Sequence, residues 1–171
     1  MTRELKGESE VAMLAEGLPV RSRVCLTLLA ADFALQRLRG SPEFNLARDT
    51  LTMALNWQKG ERADLDKWDN LFKDTLGFAS LRASKRSTAE GLAWCVLEYP
   101  ICHTAFHVFR TENLPVPLSI PTVESLILDD LDKDLRALEP SSMALMSRAA
   151  AYLTKHPNAS LAQLKVHVSE R

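Results

Sequence analysis

The sequence is poor in glycine and cysteine and has no long hydrophobic run. Its 171 residues include only 6 Gly and 3 Cys, against 8 Pro. So little glycine disfavours turn-rich β-sheets and phosphate sites built from glycine loops. The longest apolar stretches, such as residues 92–97, fall far short of the ~18 residues that a membrane-spanning helix needs. We therefore expect an ordinary globular domain that makes no membrane contact.

The chain also lacks the signals of a secreted protein. Its first 16 residues mix acidic and basic side chains and contain no apolar segment like that of a signal peptide. Cys25, Cys95 and Cys102 are odd in number and do not follow the spacing of a disulfide framework. Reduced thiols of this kind are typical of the cytoplasm. The sequence therefore predicts a cytoplasmic protein.

Common catalytic motifs are missing as well. The sequence contains no G-x-S-x-G segment, no P-loop, no dinucleotide-binding fingerprint and no zinc-deaminase signature. The three cysteines fall in the middle of apolar helical patterns, where a thiol packs rather than reacts. We predict that the protein is not an enzyme, with no catalytic residue and no cofactor.

Helical periodicity runs through most of the chain. Apolar residues recur at spacings of three and four in residues 20–39, and Gly40 follows as a stop signal. Similar patterns predict helices over residues 42–59, 62–76, 88–109 and 123–138, and two more before the C-terminus. We expect a single all-α domain, a bundle of six or seven helices at residues 20–171, preceded by a flexible N-terminal segment at residues 1–19.

Two features interrupt the second half of this pattern. Ser87 and Glu90 form a capping box that starts a long apolar helix, and Pro100 lies inside that helix. Proline removes one helical hydrogen bond and crowds the preceding turn, so we predict a kink or a break there. Three prolines within residues 115–121 then indicate an extended connector.

One helix carries a cluster of residues that could bind a metal. His103 and His107 are four residues apart and share a helix face, as two Zn²⁺ ligands can. Cys95 and Cys102 share a different face, about 80–100° away on a straight helix. We therefore favour packing roles for these side chains and predict no metal. Metal binding, or a small helical enzyme, remains an alternative with His103 and His107 as the candidate ligands.

The charge balance argues against a protein that coats nucleic acid. There are 21 basic and 22 acidic residues, for a formal charge of -1. Residues 149–164 are similar to the opening of a helix-turn-helix, but the sequence offers no recognition helix after the turn. A nucleic-acid-associated regulator is thus a further alternative, and nucleic acid is an unlikely partner.

One segment resembles a known group of proteins. Residues 54–60, Ala-Leu-Asn-Trp-Gln-Lys-Gly, precede an acidic amphipathic helix that begins Asp64-Leu-Asp-Lys-Trp68. This pattern resembles the helix-Trp-x-x-Gly-helix segments of all-helical immunity proteins from bacterial polymorphic toxin systems. The resemblance covers residues 20–81 and implies a small protein that binds and neutralises one cognate toxin domain. Trp57 and Trp68 could equally serve to pack two antiparallel helices together.

An acidic stretch suggests where a partner could bind. Residues 113–140 contain six acidic and two basic residues. Asp129 and Asp132 each have a basic residue four positions further on, whereas Asp130 and Asp134 form a like-charge pair at the same spacing, which is unfavourable. Such carboxylates can bind a basic partner. They can equally form a solvated helix face. The predicted partner-binding residues are Glu124, Asp129, Asp130 and Asp134.

Overall fold

The computed structural model describes residues 9–73 and 88–169, and this part of the chain contains eight α-helices and no strand. The prediction of a single all-α helical domain is confirmed, with one helix more than expected. In chain order the helices are α1 (Glu10–Ala15), α2 (Val20–Arg37), α3 (Phe44–Gln58), α4 (Leu65–Lys73), α5 (Ala89–Thr111), α6 (Glu124–Leu138), α7 (Ser142–Lys155) and α8 (Leu161–Ser169).

The additional helix lies in the segment that we expected to be flexible. Ser9 caps α1 by accepting a hydrogen bond from the backbone N–H of Ala12. Val11 and Ala15 are buried in the same core as the other helices, and α1 packs against α6 and α7. Assigning all of residues 1–19 to a segment apart from the domain was therefore wrong for residues 9–19, because long-range contacts stabilise a helix too short to form alone.

Helices α2 and α5 form the centre of the domain. They pack against each other, while α3 also contacts α2 and α6 also contacts α5. Both central helices are buried on most of their surface, as expected for elements surrounded by others. Among the described helices, none combines the length and the apolar character needed to cross a membrane.

Helix α5 passes through Pro100 without interruption. The helix extends for 23 residues with the proline inside it, so of the two predicted outcomes the break does not occur, and the kink stays a prediction. Leu97 and Ile101, on either side of the proline, are completely buried, and this packing outweighs the loss of one hydrogen bond. The N-cap also differs from the prediction: Thr88 accepts a hydrogen bond from the backbone N–H of Gly91, and Ser87 lies outside the described residues.

The Trp-x-x-Gly segment forms a tight helix end. Gly60, with a φ of 105°, donates its backbone N–H to Trp57, and the next N–H reaches Asn56. This pair of hydrogen bonds is a Schellman motif, in which glycine adopts the left-handed conformation at little cost. Trp68 of α4 is completely buried. The predicted stop of this helix at Gly77 lies outside the described residues.

The connector contains no helix, as predicted, but it is not extended throughout, because the backbone N–H of Ile120 donates to the carbonyl oxygen of Pro117 in a turn. The last helix begins where the sequence predicts. Residues 112–123 form no helix, Leu118 is fully exposed, and Ile120 is buried and holds the connector to the core. The Ser160 hydroxyl accepts a hydrogen bond from the backbone N–H of Gln163, whose side chain accepts one from the N–H of Ser160. This reciprocal pair caps the start of α8.

Candidate functional site

The structure brings together three residues to which the sequence assigned different roles. His103 Nε2 lies 2.7 Å from Oε1 of Glu124, and His107 Nε2 lies 2.9 Å from the same oxygen. The two Nε2 atoms are 3.3 Å apart. Glu124, predicted to bind a partner, therefore joins the two candidate metal ligands in one cluster.

Two helices carry the three side chains of this cluster. The two histidines are one turn apart on α5, so both rings face α6, which packs against this helix. Glu124 is the first residue of α6, placed there by the connector. The side chain of His103 is completely buried, that of His107 is 8% exposed and that of Glu124 is 20% exposed. The carboxylate is thus the part of the cluster most open to solvent.

Two polar residues of α2 support the cluster, and sequence reasoning missed both. The Thr27 hydroxyl lies 3.1 Å from Nδ1 of His103 and 3.0 Å from the carbonyl oxygen of Val24. Arg23 donates to Oε2 of Glu124 at 2.8 Å. These residues are four apart on a mainly apolar helix, which was the only signal that the sequence offered. Thr27 fixes the ring of His103, and Arg23 fixes Oε2 of Glu124.

The pKa values of His103 and Glu124 are both lowered, the first by burial and the second by hydrogen bonding. Burial lowers the pKa of His103 despite its hydrogen bond to Glu124, because removal from water disfavours the charged ring. Burial alone would raise the pKa of Glu124, but hydrogen bonds with His103 and His107 hold it well below its usual range. At neutral pH the cluster therefore contains a carboxylate next to a neutral His103.

A groove between α1 and α6 begins at this cluster. Its volume is about 800 Å³, and Glu124 and Arg23 form part of its wall. The groove is strongly acidic: its lining includes five acidic residues and two basic ones. The acidic lining residues are Glu16, Glu124, Asp129, Asp130 and Asp132.

Some of these carboxylates have partners and others do not. Glu124 pairs with Arg23, and Asp132 pairs with Arg136 at 2.5 Å, as its spacing in the sequence predicts. Within residues 9–73 and 88–169, no basic group lies within ion-pair distance of Asp129 or Asp130, so the Lys133 contact expected for Asp129 is not formed. Both side chains are exposed. They are the predicted residues best placed to meet a partner.

Asp134, the fourth predicted partner-binding residue, lies elsewhere. It is half-buried and does not line the groove. The spacing of four residues places it near Asp130 along the helix, but only Asp130 of these two lines the groove.

The cysteines take no part in the histidine cluster. The one group of three potential metal ligands found in the described part of the chain is His103, His107 and Glu124. All three thiols are buried, and burial raises the pKa of Cys25 to about 12. A thiol with so high a pKa is a poor nucleophile at neutral pH.

The chain matches no protein-family model, no curated protein and no solved structure. Its function is therefore inferred from the groove and from the cluster beside it.

Proposed function

We propose that this protein is a binding module that holds a basic protein partner in the groove between α1 and α6. The proposal rests on one observation: Asp129 and Asp130 are exposed in the groove without an ion-pair partner in the described part of the chain. The resemblance of residues 20–81 to helical immunity proteins suggests that this partner is a toxin domain, and the charge of the groove suggests that the surface it binds is basic. The protein would then act as an immunity protein.

The charge of the groove favours a partner of opposite sign. Among its lining residues, five carboxylates face two basic side chains, and one of those, Arg23, is already held by Glu124. Complementary charge mainly accelerates association and rejects wrong partners, and its effect is reduced by salt. A lysine-rich or arginine-rich surface is the complement of such a groove.

The groove also offers apolar contact area. Met13 lines it on the α1 side and is 50% exposed, whereas Leu128 on the α6 side is 4% exposed and belongs to the core. Methionine is flexible and polarisable, which makes it suited to irregular contact surfaces. Apolar contacts next to unpaired carboxylates provide both parts of a protein interface, an anchor and a polar rim.

An immunity role requires no chemistry from this chain. The resemblance of residues 20–81 to helical immunity proteins implies that the chain works by covering a toxin domain. The absence of catalytic motifs from the sequence agrees with that role. Three buried thiols suit a protein that acts in the cytoplasm, where a toxin would be neutralised.

An immunity role predicts a toxin domain encoded in a neighbouring gene, and the test is protection of cells from that domain. The wild-type chain, co-expressed with that domain, should restore growth, and the purified pair should associate with a rate that falls steeply as salt is added. In an Asp129→Asn, Asp130→Asn variant we expect association at low salt to be about tenfold slower.

A matched control separates a local effect from the loss of overall charge. Glu61 and Glu112 are exposed acids that do not line the groove. A Glu61→Gln, Glu112→Gln variant loses the same two charges and should associate at the wild-type rate. Equal slowing in both double variants would remove the groove from the interface. A neighbouring gene without toxic activity, or no protection, would contradict the immunity role itself.

A further inference from the structure

The structure points to a second binding site that does not depend on the groove's partner. We propose that His103, His107 and Glu124 bind a divalent transition-metal ion, preferably Zn²⁺, through the two Nε2 atoms and one carboxylate oxygen. Two imidazoles and a carboxylate are a ligand set that zinc and iron use in proteins.

The three ligand atoms already lie close enough together for one ion. The sides of their triangle are 2.7, 2.9 and 3.3 Å, so a circle through them has a radius of about 1.7 Å. Zinc bonds to nitrogen and oxygen are longer, ~2.0–2.2 Å. An ion placed about 1 Å outside the plane of the three atoms is therefore at bonding distance from all of them. Ideal tetrahedral angles need the two shorter sides to widen by roughly 0.5 Å.

The hydrogen bonds of Thr27 bear on which nitrogen of His103 carries the proton. A hydroxyl has one hydrogen. If Thr27 donates it to the carbonyl oxygen of Val24, its oxygen accepts from Nδ1–H of His103, and Nε2 is left with a free lone pair. That lone pair then faces a carboxylate oxygen 2.7 Å away. Two acceptors at this distance repel each other unless a proton or a metal ion bridges them, and in this arrangement a metal ion can take that role.

The opposite arrangement describes a cluster without metal. If Thr27 donates to Nδ1, the Nε2–H of His103 donates to Glu124, and a proton occupies the position of the ion. The two arrangements place the proton of His103 on different nitrogens. They can therefore be distinguished by measurement.

The surrounding residues suit a bound ion. Arg23 holds Oε2 of Glu124 and leaves Oε1 directed at the histidines. In metal sites, hydrogen bonds to the ligand atoms that do not touch the metal fix the orientation of the ligands. Because Glu124 and Arg23 also line the groove, an ion has a route to the cluster from solvent. Three protein ligands also leave one coordination position for water.

The experiment uses the untagged full chain, stripped of metal with a chelator and titrated with Zn²⁺ or Co²⁺. We expect one ion per chain, with visible absorption of bound Co²⁺ in the range of tetrahedral sites. Affinity should fall at least tenfold in His107→Ala and in Glu124→Gln. The control is His156→Ala, His167→Ala, which removes two histidines next to Tyr152 and should bind like the wild type.

A measurement on the wild-type chain covers the case in which a variant fails to fold. Nitrogen-15 spectra of the histidine rings report the tautomer of His103 and His107 directly. Added Zn²⁺ should shift the Nε2 resonances of both residues at one equivalent. The proposal is wrong if both rings keep a protonated Nε2 and do not respond to Zn²⁺. It is also wrong if the two cluster variants bind as tightly as the wild type. In either case the cluster is held by hydrogen bonds alone.

Discussion

The carboxylate of Asp132 accepts a hydrogen bond from the backbone N–H of Val11 at 2.9 Å, although 121 residues separate the two in the chain. The same carboxylate contacts Arg136, whose guanidinium also reaches Glu10 at 2.5 Å. These contacts tie the first turn of α1 to the middle of α6. They also determine the shape of the groove, because α1 is one of its walls.

Removing the Asp132 carboxylate should detach α1. Asp132→Ala leaves the N–H of Val11 and the guanidinium of Arg136 without their acceptor, so we expect the free energy of unfolding to fall by about 2–3 kcal/mol. Urea denaturation measures this loss, and hydrogen exchange should show faster exchange at Val11. Asp129→Ala, an exposed change on the same helix, should cost less than about 0.5 kcal/mol. Equal stability of the two variants would contradict the role of Asp132.

Stability should depend on pH through the same residue. Burial alone would raise the pKa of Asp132, but hydrogen bonds from Arg136, Val11 and Ser9 lower it below the ordinary value of 3.8. The ionised form is thus the one that stabilises the fold. Its contribution is complete above pH 3.8 and is lost as the pH falls through the lower pKa of the folded state. Denaturation curves down to about pH 3 should therefore show a smaller decline for Asp132→Ala than for the wild type. Parallel declines would show that another group is responsible.

Trp68 should be one of the most costly core positions. Its side chain is completely buried although α4 is a short helix. Trp68→Ala leaves a large cavity, and we expect a loss of about 3–5 kcal/mol in the free energy of unfolding. Leu118→Ala serves as a control because Leu118 is fully exposed. A loss below about 1 kcal/mol for Trp68→Ala would mean that α4 is weakly attached.

The cysteines should be unreactive in the folded protein. Cys25, Cys95 and Cys102 are all buried, and burial raises the pKa of Cys25 to about 12. A thiol reagent at neutral pH should label none of the three until the chain is unfolded in denaturant, and then all three. Rapid labelling of one thiol under native conditions would indicate a reactive cysteine and reopen the possibility of covalent chemistry.

Limited proteolysis should cut the connector before the central helices. Leu118 is fully exposed and lies outside any helix, whereas α2 is buried on most of its surface. Chymotrypsin at low concentration should cleave after Leu118 while α2 remains intact, as peptide mass measurements would show. An early cut within α2 would contradict its central position.

The positions of most helices could be predicted from the sequence alone. Apolar spacing and the stop signals at Gly40 and Gly60 gave the bounds of α2 and α3 to within about two residues, a local pattern that needs no knowledge of neighbours. The capping of α8 by Ser160 was equally local. The metal alternative at His103 and His107 was also visible, because residues four apart share a helix face.

Tertiary structure decided what local patterns do not contain. Six residues at Glu10–Ala15 form too short a pattern to predict, and α1 forms because Asp132 and the core hold it. Helix α5 continues through Pro100 because its neighbours bury both sides. Glu124 contacts His103 and His107 because of the way α6 packs against α5. Apolar periodicity indicates which face of a helix is buried, but not which other helix it meets, and that choice determined the candidate sites of this protein.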